Sequence, residues 1–191
     1  MLFIRRKNVL PVEDMIEMEE WLQNECIPMI GSNVSDNDVS KKLKLKVEYA
    51  SPSNLAPHVE AELRPIEDPE YNGLIRVNTE LMGKTFAYLH EIIHYLRDVG
   101  MGNKVEQVFT RKAQGHTESL HEQKINYATA AYIIPYTVVE NSIREYDSSR
   151  PKMDELEFVK YFSTRYNQPR DVVIRRIQEV RRIRRDKAKK K

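Results

Sequence analysis

The sequence predicts an α+β fold in which a small three-stranded sheet packs on two helices, with further helices towards the carboxyl terminus. From Leu43 to Tyr49 every second residue is apolar, with lysine or glutamate between, which is the period of a half-buried strand. From Phe86 to Leu96 the apolar residues instead recur three and four positions apart, which is the period of an amphipathic helix. This change of period separates a strand-rich part of the chain from a helical part.

The segment before the first strand is predicted to hold one helix and one loop. Residues 12–26 place apolar side chains among acidic ones at helical spacing, after Pro11 and before Pro28. Residues 31–40 are rich in Ser, Asn and Asp, which favour turns and loops. We therefore expect a helix that ends before Pro28, followed by a loop.

Two more strands complete the predicted sheet. Residues 59–64 and 74–78 are short segments suited to extended structure. The dipeptide Asn72-Gly73, between them, favours a tight turn. Together with the alternating segment they predict three strands.

The helical part is predicted to contain four helices. They are a helix from Phe86 that ends at Gly100 and Gly102, and helices over about residues 118–134, 153–166 and from Pro169 into the basic tail. We assign residues 1–150 to one main domain, because 191 residues suit a single core. Residues 151–191 are expected to be a helical extension that packs on the same domain.

The composition limits the kind of site and the location. Cys26 is the only cysteine, so the chain cannot form an internal disulfide framework or a cysteine-rich zinc site, and any metal must use histidine and carboxylate ligands. No stretch approaches the roughly 18 apolar residues needed to span a bilayer, and the amino terminus lacks the pattern of a secretion signal. We therefore expect a cytoplasmic protein that does not enter a membrane.

Charge is distributed unevenly along the chain. Residues 181–191 hold eight Lys or Arg and one Asp, a net +7, which leaves −5 for the remainder of a chain with overall charge +2. Such a tail can bind nucleic acid by displacing counterions from phosphates. The interpretation that we favour is the solvated end of a helix, since cations also stabilise a helix carboxyl terminus.

The clearest chemical pattern is His90-Glu91-Ile92-Ile93-His94. Residues four apart lie on one face of a helix, so His90 and His94 can bind one Zn²⁺ through their imidazoles at about 2.0 to 2.1 Å. Glu91 then lies beside the metal, where it can take a proton from the attacking water and pass it to the departing amine. The alternative is that both histidines flank an apolar stripe and are satisfied by ordinary hydrogen bonds.

Two histidines leave a catalytic zinc one protein ligand short. Among His116, Glu118, His121 and Glu122, we prefer Glu122 as third ligand because it stands beside the apolar face of the next helix. Asn126, one turn further on, is expected either to orient Glu122 or a ligating histidine, or to face water. His116 and His121 are candidates to donate to the oxyanion of the transition state, although a surface position is favoured for both. Histidine and carboxylate ligands also suit manganese and iron.

Two segments of the chain resemble the ImmA/IrrE family of metallopeptidases. They are residues 86–96, which contain the histidine motif, and residues 122–135, from the glutamate through Asn126, Ala128 and Ala130 to Pro135. Similarity at the level of pattern covers about residues 12–180. Ile93 stands where glycine is common in the family and Ala128 where an aromatic residue is common, and both differences affect packing more than metal chemistry.

The resemblance implies a zincin-like fold with His90, His94 and Glu122 as zinc ligands and Glu91 as the catalytic residue. Members of the family include proteases that cleave helix-turn-helix repressors of mobile elements and prophages, and others that regulate stress responses by the same means. The amino-terminal helix-turn-helix module often seen in the family is not expected, since only about 85 residues precede the motif helix. A separate repressor protein is therefore the expected substrate.

Two other functions stay open at this point. A regulatory protein can inactivate a repressor by binding it, with the metal in a structural role only. A nucleic-acid-binding module can form from the last two helices and the basic tail, because residues 162–166, the turn Asn167-Gln168-Pro169 and residues 170–177 have the pattern of a helix-turn-helix. The function we expect is a zinc peptidase.

Overall fold

The structure, a computed structural model, describes residues 9–32, 36–81, 84–112, 119–148 and 154–190. Its mixture of helices with one mixed sheet confirms the α+β class. None of the helices in these ranges is both long enough and apolar enough to cross a membrane.

The sheet of the described residues contains four strands, one more than predicted. They are β1 (Leu45–Ala50), β2 (Val59–Arg64), β3 (Gly73–Asn78) and β4 (Phe109–Lys112). The order across the sheet is β1-β3-β2-β4, with β1 parallel to β3 and β2 antiparallel to both of its neighbours. This order makes β4 an outer strand next to β2.

The first predicted strand is shorter than its alternating pattern, because Leu43 belongs to a helix. Lys44 has a φ of 52°, and this left-handed residue separates that helix from β1. Within β1, Tyr49 is exposed rather than half-buried. The alternation is clearer in β3, where Ile75 and Val77 are fully buried against the core.

The strand β4 was missed because its four residues carry no alternation of apolar and polar side chains. Its backbone pairs with β2 from Val59↔Lys112 to Leu63↔Phe109, with an irregularity between Val59 and Ala61. Pairing with a partner already in place, rather than local pattern, therefore decides this strand.

The first helical segment runs further than predicted. It consists of α1 (Val12–Trp21), a π-helical turn (Leu22–Cys26) and α2 (Ile27–Ile30). Pro28 does not stop it, because this proline lies in the first turn of α2, where a missing N–H is tolerated. The segment ends at Gly31, which has a φ of 91°.

The loop predicted at residues 31–40 is wrong in its second part, because α3 (Asp36–Leu43) begins there. Lys41 and Lys42 lie in its last turn, where cations favour a helix end. Leu43 is buried in the main core, so tertiary packing overrides the turn-forming composition.

The helix that carries the histidine motif, α4 (Lys84–His94), packs against β2, β3 and β4. Every residue from Phe86 to His94 is buried. The helical segment continues through a π-helical turn (Tyr95–Val99) and ends at Gly100, which has a φ of 88°. The helix α5 (Leu120–Ile133) packs across α4, as predicted for the helix of the third ligand.

Three helices complete the described chain: α6 (Tyr136–Ser148), α7 (Glu155–Tyr166) and α8 (Arg170–Lys189). The helices α7 and α8 confirm the prediction. The helix α6 was not predicted, because the sequence pattern indicates Pro135 only as the end of the preceding helix. The Pro135 carbonyl accepts from the N–H groups of Val138 and Val139, so this proline ends α5 and also starts α6. Apolar residues of α6, α7 and α8 form one cluster, which therefore contains residues from both sides of position 150 in the sequence. The division of the chain into two parts at this position stays a prediction.

Candidate metal centre

The packing of α4 against α5 brings His90, His94 and Glu122 together. The Nε2 atom of His90 lies 3.3 Å from Oε2 of Glu122, and the Nε2 atom of His94 lies 3.2 Å from Oε1 of the same carboxylate. One ligand atom from each of the three residues lies within 4.8 Å of the others. The structure thus joins the three residues that the sequence assigned to the metal.

The two histidine nitrogens have the surroundings expected of metal ligands. Both Nε2 atoms are buried and lack a hydrogen-bond partner among the described residues, since their contacts with Glu122 do not have hydrogen-bond geometry. Ligands at 2.0 to 2.1 Å from a tetrahedral zinc are separated by about 3.3 Å, which matches both distances to the carboxylate. Because buried polar atoms rarely lack a partner, these residues fit a divalent metal ion.

Glu122 reaches this position from the first turn of α5. Ser119 caps the helix, and its Oγ accepts from the backbone N–H of Glu122 at 3.1 Å. Burial alone would raise the pKa of Glu122, but the close approach of the two imidazoles to its carboxylate holds it well below its usual range. The carboxylate is therefore ionised, as a metal ligand must be.

Glu91 points inward on the same helix. Its carboxyl group is fully buried, and neither oxygen has a hydrogen-bond partner in the described chain. Burial raises the pKa of Glu91 to about 8. A carboxyl group with this pKa is present in both protonation states near neutral pH, and its ionised form is the one that can accept a proton in the predicted catalytic role.

His94 is oriented for a metal by a residue that the sequence reasoning missed. Its Nδ1 lies 2.6 Å from Oδ2 of Asp98, in the π-helical turn. A carboxylate only accepts, so Nδ1 carries the proton and Nε2 presents its lone pair to the metal position. Burial lowers the pKa of His94, yet the hydrogen bond to Asp98 and the nearby Glu122 carboxylate outweigh it and raise the pKa to about 9, so metal binding must displace the proton that Nε2 carries at neutral pH. Asp98 follows His94 by four residues, and this spacing was the signal available in the sequence.

His90 has a different neighbour. Nη1 of Arg111, on β4, lies 3.3 Å from Nδ1 of His90, and burial lowers the pKa of His90 to about 3. Because a guanidinium only donates, Nδ1 accepts and the single proton of the neutral ring stays on Nε2. Metal binding at Nε2 therefore requires this proton to move to Nδ1 and the Arg111 contact to break.

Arg111 has other partners that can hold it when that contact breaks. Its Nε donates to Glu60 at 2.8 Å, its Nη1 donates to Oδ1 of Asn126 at 2.5 Å, and the guanidinium lies 4.6 Å from the centre of the Phe86 ring. Asn126 is buried, and its Oδ1 accepts a hydrogen bond from this arginine instead of orienting Glu122. Arg111 was not predicted because its strand was not predicted.

Of the two histidines predicted as possible oxyanion donors, only His121 lies within the described residues. His121 is half-exposed, its Nε2 lies 2.9 Å from Oδ2 of Asp98, and its ring centre lies 5.6 Å from that of His94. His116 and Glu118 fall outside the described residues. His121 is therefore the candidate that the structure puts beside the metal ligands.

Comparison with known proteins adds no family assignment. No protein-family model matches the chain, and neither does any curated protein. The resemblance to the ImmA/IrrE family stays a prediction from the motif residues, so the function has to be argued from the geometry of the site.

Proposed function

We propose that the chain is a zinc-dependent endopeptidase in which His90, His94 and Glu122 hold the metal and Glu91 is the catalytic residue. The observation that carries this proposal is the pair of buried Nε2 atoms that lie 3.3 and 3.2 Å from the two oxygens of Glu122 and have no hydrogen-bond partner in the part of the chain that the structure describes. When bound, zinc supplies a Lewis acid that polarises the scissile carbonyl and favours ionisation of water.

Glu91 supplies the proton transfer that peptide hydrolysis needs. As the oxygen of water bonds to the peptide carbon, Glu91 takes a proton from that water. As the carbon–nitrogen bond breaks, Glu91 gives the proton to the departing amine. The two partnerless oxygens of its buried carboxyl group support this role.

The surroundings of the site favour a peptide over a small molecule. Among the described strands, β4 pairs on one side only, so its other edge can hydrogen-bond an extended peptide. Phe109 of this strand lies 5.2 Å from His94, measured between ring centres. Val108 precedes Phe109 in the sequence, and Leu120 precedes His121. Both are exposed apolar side chains that can contact a substrate.

The nature of the substrate rests on the resemblance alone. We propose a cytoplasmic enzyme with a zincin-like fold that cleaves a helix-turn-helix repressor of a mobile element, prophage or stress regulon. A helix that carries two neighbouring histidines and packs against the outer strand β4 of a mixed sheet supports such a fold.

Nucleic-acid binding by α7 and α8 is not part of this proposal. Acidic partners neutralise some of the basic charge: Arg181 pairs with Glu155 at 2.8 Å, and Arg184 pairs with Asp147 at 3.1 Å. One face of α8 is also buried against other helices. Both observations support the interpretation of the tail as a solvated helix end.

The test compares Glu91→Gln with the wild type on a purified candidate repressor, with and without a chelator. We expect Glu91→Gln to retain zinc and to lose at least about a hundredfold in cleavage rate, because proton transfer is removed. His90→Ala should lose the metal itself. Glu25→Gln, at an exposed position of the first helical segment, is the matched control and should cleave normally.

Cleavage by Glu91→Gln at the wild-type rate would overturn the peptidase proposal. If Glu91→Gln instead inactivates the repressor as well as the wild type does, and neither protein cleaves it, the chain is a regulatory protein that acts by binding.

A further inference from the structure

Asp98 makes a contact that the proposed reaction does not explain. Its Oδ2 atom accepts from Nδ1 of His94 at 2.6 Å and from Nε2 of His121 at 2.9 Å. The carboxylate is mostly buried, whereas the His121 side chain is 49% exposed. One oxygen therefore joins a buried metal ligand to an imidazole at the surface of the site.

These three residues are close enough to be considered a second metal site, but the distances are those of hydrogen bonds. Two ligands of a tetrahedral zinc are about 3.3 Å apart, whereas Asp98 and His94 approach to 2.6 Å. This is the length of a strong hydrogen bond between a charged acceptor and an N–H donor. The group is thus a hydrogen-bonded set rather than a second metal centre.

We propose that Asp98 is a positioning residue for both histidines, with His121 as a contact for the bound peptide. Through His94, Asp98 fixes the tautomer and ring orientation that present Nε2 to the metal. Through His121, it fixes a second ring beside Glu122, on the exposed side of the site. The role of Asp98 at His94 rests on the proposed metal ligands, and the role of His121 rests on the proposed peptidase activity.

The orientation of His121 follows from which nitrogen it uses. Because Nε2 donates to Asp98, Nδ1 is the ring nitrogen that remains for a substrate group. The ring of His121 is inclined by 47° to that of His94, and the two ring centres are 5.6 Å apart. Loss of the carboxylate would leave both rings free to rotate.

The first experiment measures zinc affinity by competition with a chromophoric chelator. We expect Asp98→Asn to lower zinc affinity by about 10- to 100-fold, the usual effect of removing the partner of a ligating histidine. The visible spectrum of the Co²⁺-loaded protein should change as well. Asp98→Glu, which keeps a carboxylate, should recover part of the affinity.

Two controls separate positioning from general damage. Asp147→Asn removes a carboxylate from an exposed ion pair with Arg184, and it should leave both zinc affinity and the Co²⁺ spectrum unchanged. His121→Ala should also leave zinc affinity unchanged, because His121 is not a ligand in this account. Wild-type affinity and an unaltered spectrum in Asp98→Asn would overturn the proposed role at His94.

The second experiment tests the link to His121 without depending on catalysis. Two-bond ¹H–¹⁵N NMR spectra of the zinc-loaded protein report which ring nitrogen of each histidine carries a proton. We expect Asp98→Asn to alter the signals of both His94 and His121, whereas Asp147→Asn should alter neither. Unaltered His121 signals would contradict the link.

The third experiment asks what His121 does for a substrate. At saturating zinc, His121→Ala and Asp98→Asn should each lower kcat/KM by about tenfold, and the double variant should be little worse because the two residues act as one unit. Normal kcat/KM in His121→Ala would overturn the peptide contact and leave Asp98 serving the metal only. If the wild type cleaves no peptide, the proposed function fails, and the zinc and NMR measurements still decide the role of Asp98.

Discussion

A cluster of buried polar groups lies at each end of α5. The two clusters differ in how many of their polar atoms have hydrogen-bond partners among the described residues. At the first turn, Glu122 faces two histidine nitrogens that have no hydrogen-bond partner in the described chain. Beyond the last turn, the buried guanidinium of Arg176 donates from Nε to the Ile134 carbonyl at 3.0 Å and from Nη2 to Glu19 at 2.6 Å. Tyr127 donates to the same Glu19 oxygen at 2.7 Å.

This difference distinguishes a cluster that stabilises the fold from a cluster whose residues fit a metal ion. Arg176 ties α8 to α1 and to the end of α5, and it also lies 5.0 Å from the centre of the Tyr127 ring. Nη1 of Arg176 has no hydrogen-bond partner among the described residues, but the charge of the guanidinium is matched by the Glu19 carboxylate. At the candidate metal site, two histidine nitrogens without a hydrogen-bond partner in the described chain face one carboxylate, which is the arrangement that a bound ion would complete.

The largest effect on folding is expected at Arg176. Arg176→Met should lower the free energy of unfolding by about 3 kcal/mol, near the lower limit for a broken buried ion pair because the Glu19 side chain keeps 18% exposure. The loss, measured by urea unfolding, should be equal with and without zinc. The double variant Glu19→Gln, Arg176→Met should recover part of it, since no charge is then left alone.

A loss below about 1 kcal/mol in Arg176→Met would mean that the pair contributes no more than an exposed ion pair. A loss that appears only when zinc is bound would also contradict the comparison. Either result would remove the distinction between a structural end and a ligand-binding end of α5.

A smaller effect is expected where α5 begins. Ser119→Ala removes the cap that bonds to the backbone of Glu122 and should cost about 1 kcal/mol in unfolding free energy. It should also weaken zinc binding, because the first turn then holds Glu122 less firmly. Asp154→Ala removes the matching cap of α7, remote from the site, and should cost similar stability without altering zinc affinity.

Equal zinc affinities in Ser119→Ala and Asp154→Ala would show that the cap does not position the third ligand. Equal losses of zinc affinity would show instead that general destabilisation, rather than the position of Glu122, weakens binding. Unfolding and zinc competition measured on the same samples separate these outcomes.

The parts of the fold that local pattern decides were predictable. The strand Val59–Arg64 was predicted from its composition. The tight turn predicted at Asn72-Gly73 is wrong, because Gly73 is already the first residue of β3 and does not have a positive φ. The helical spacing of His90 and His94 predicted their common face, and the apolar face of the following helix predicted Glu122 as their partner.

The residues that were missed depend on tertiary contacts. Arg111 lies on a strand that forms only because β2 offers an edge, so no local period marks it. Asp98 was visible as an aspartate four positions after His94, but its second bond, to His121, joins different elements of the fold. Consequently the sequence could predict which residues come together at the candidate site but not the proton positions on its two imidazoles.

Zinc bound per chain, measured by elemental analysis after dialysis, tests the central claim most directly. We predict about one zinc ion per chain in the wild type and in Glu91→Gln, and almost none in His94→Ala or Glu122→Ala, because a three-ligand site fails when one ligand is removed. Bound zinc should also stabilise the wild type by about 2.7 kcal/mol at a hundred times its Kd, and not His94→Ala. Zinc content in His94→Ala equal to that of the wild type, or none in the wild type, would contradict the assignment.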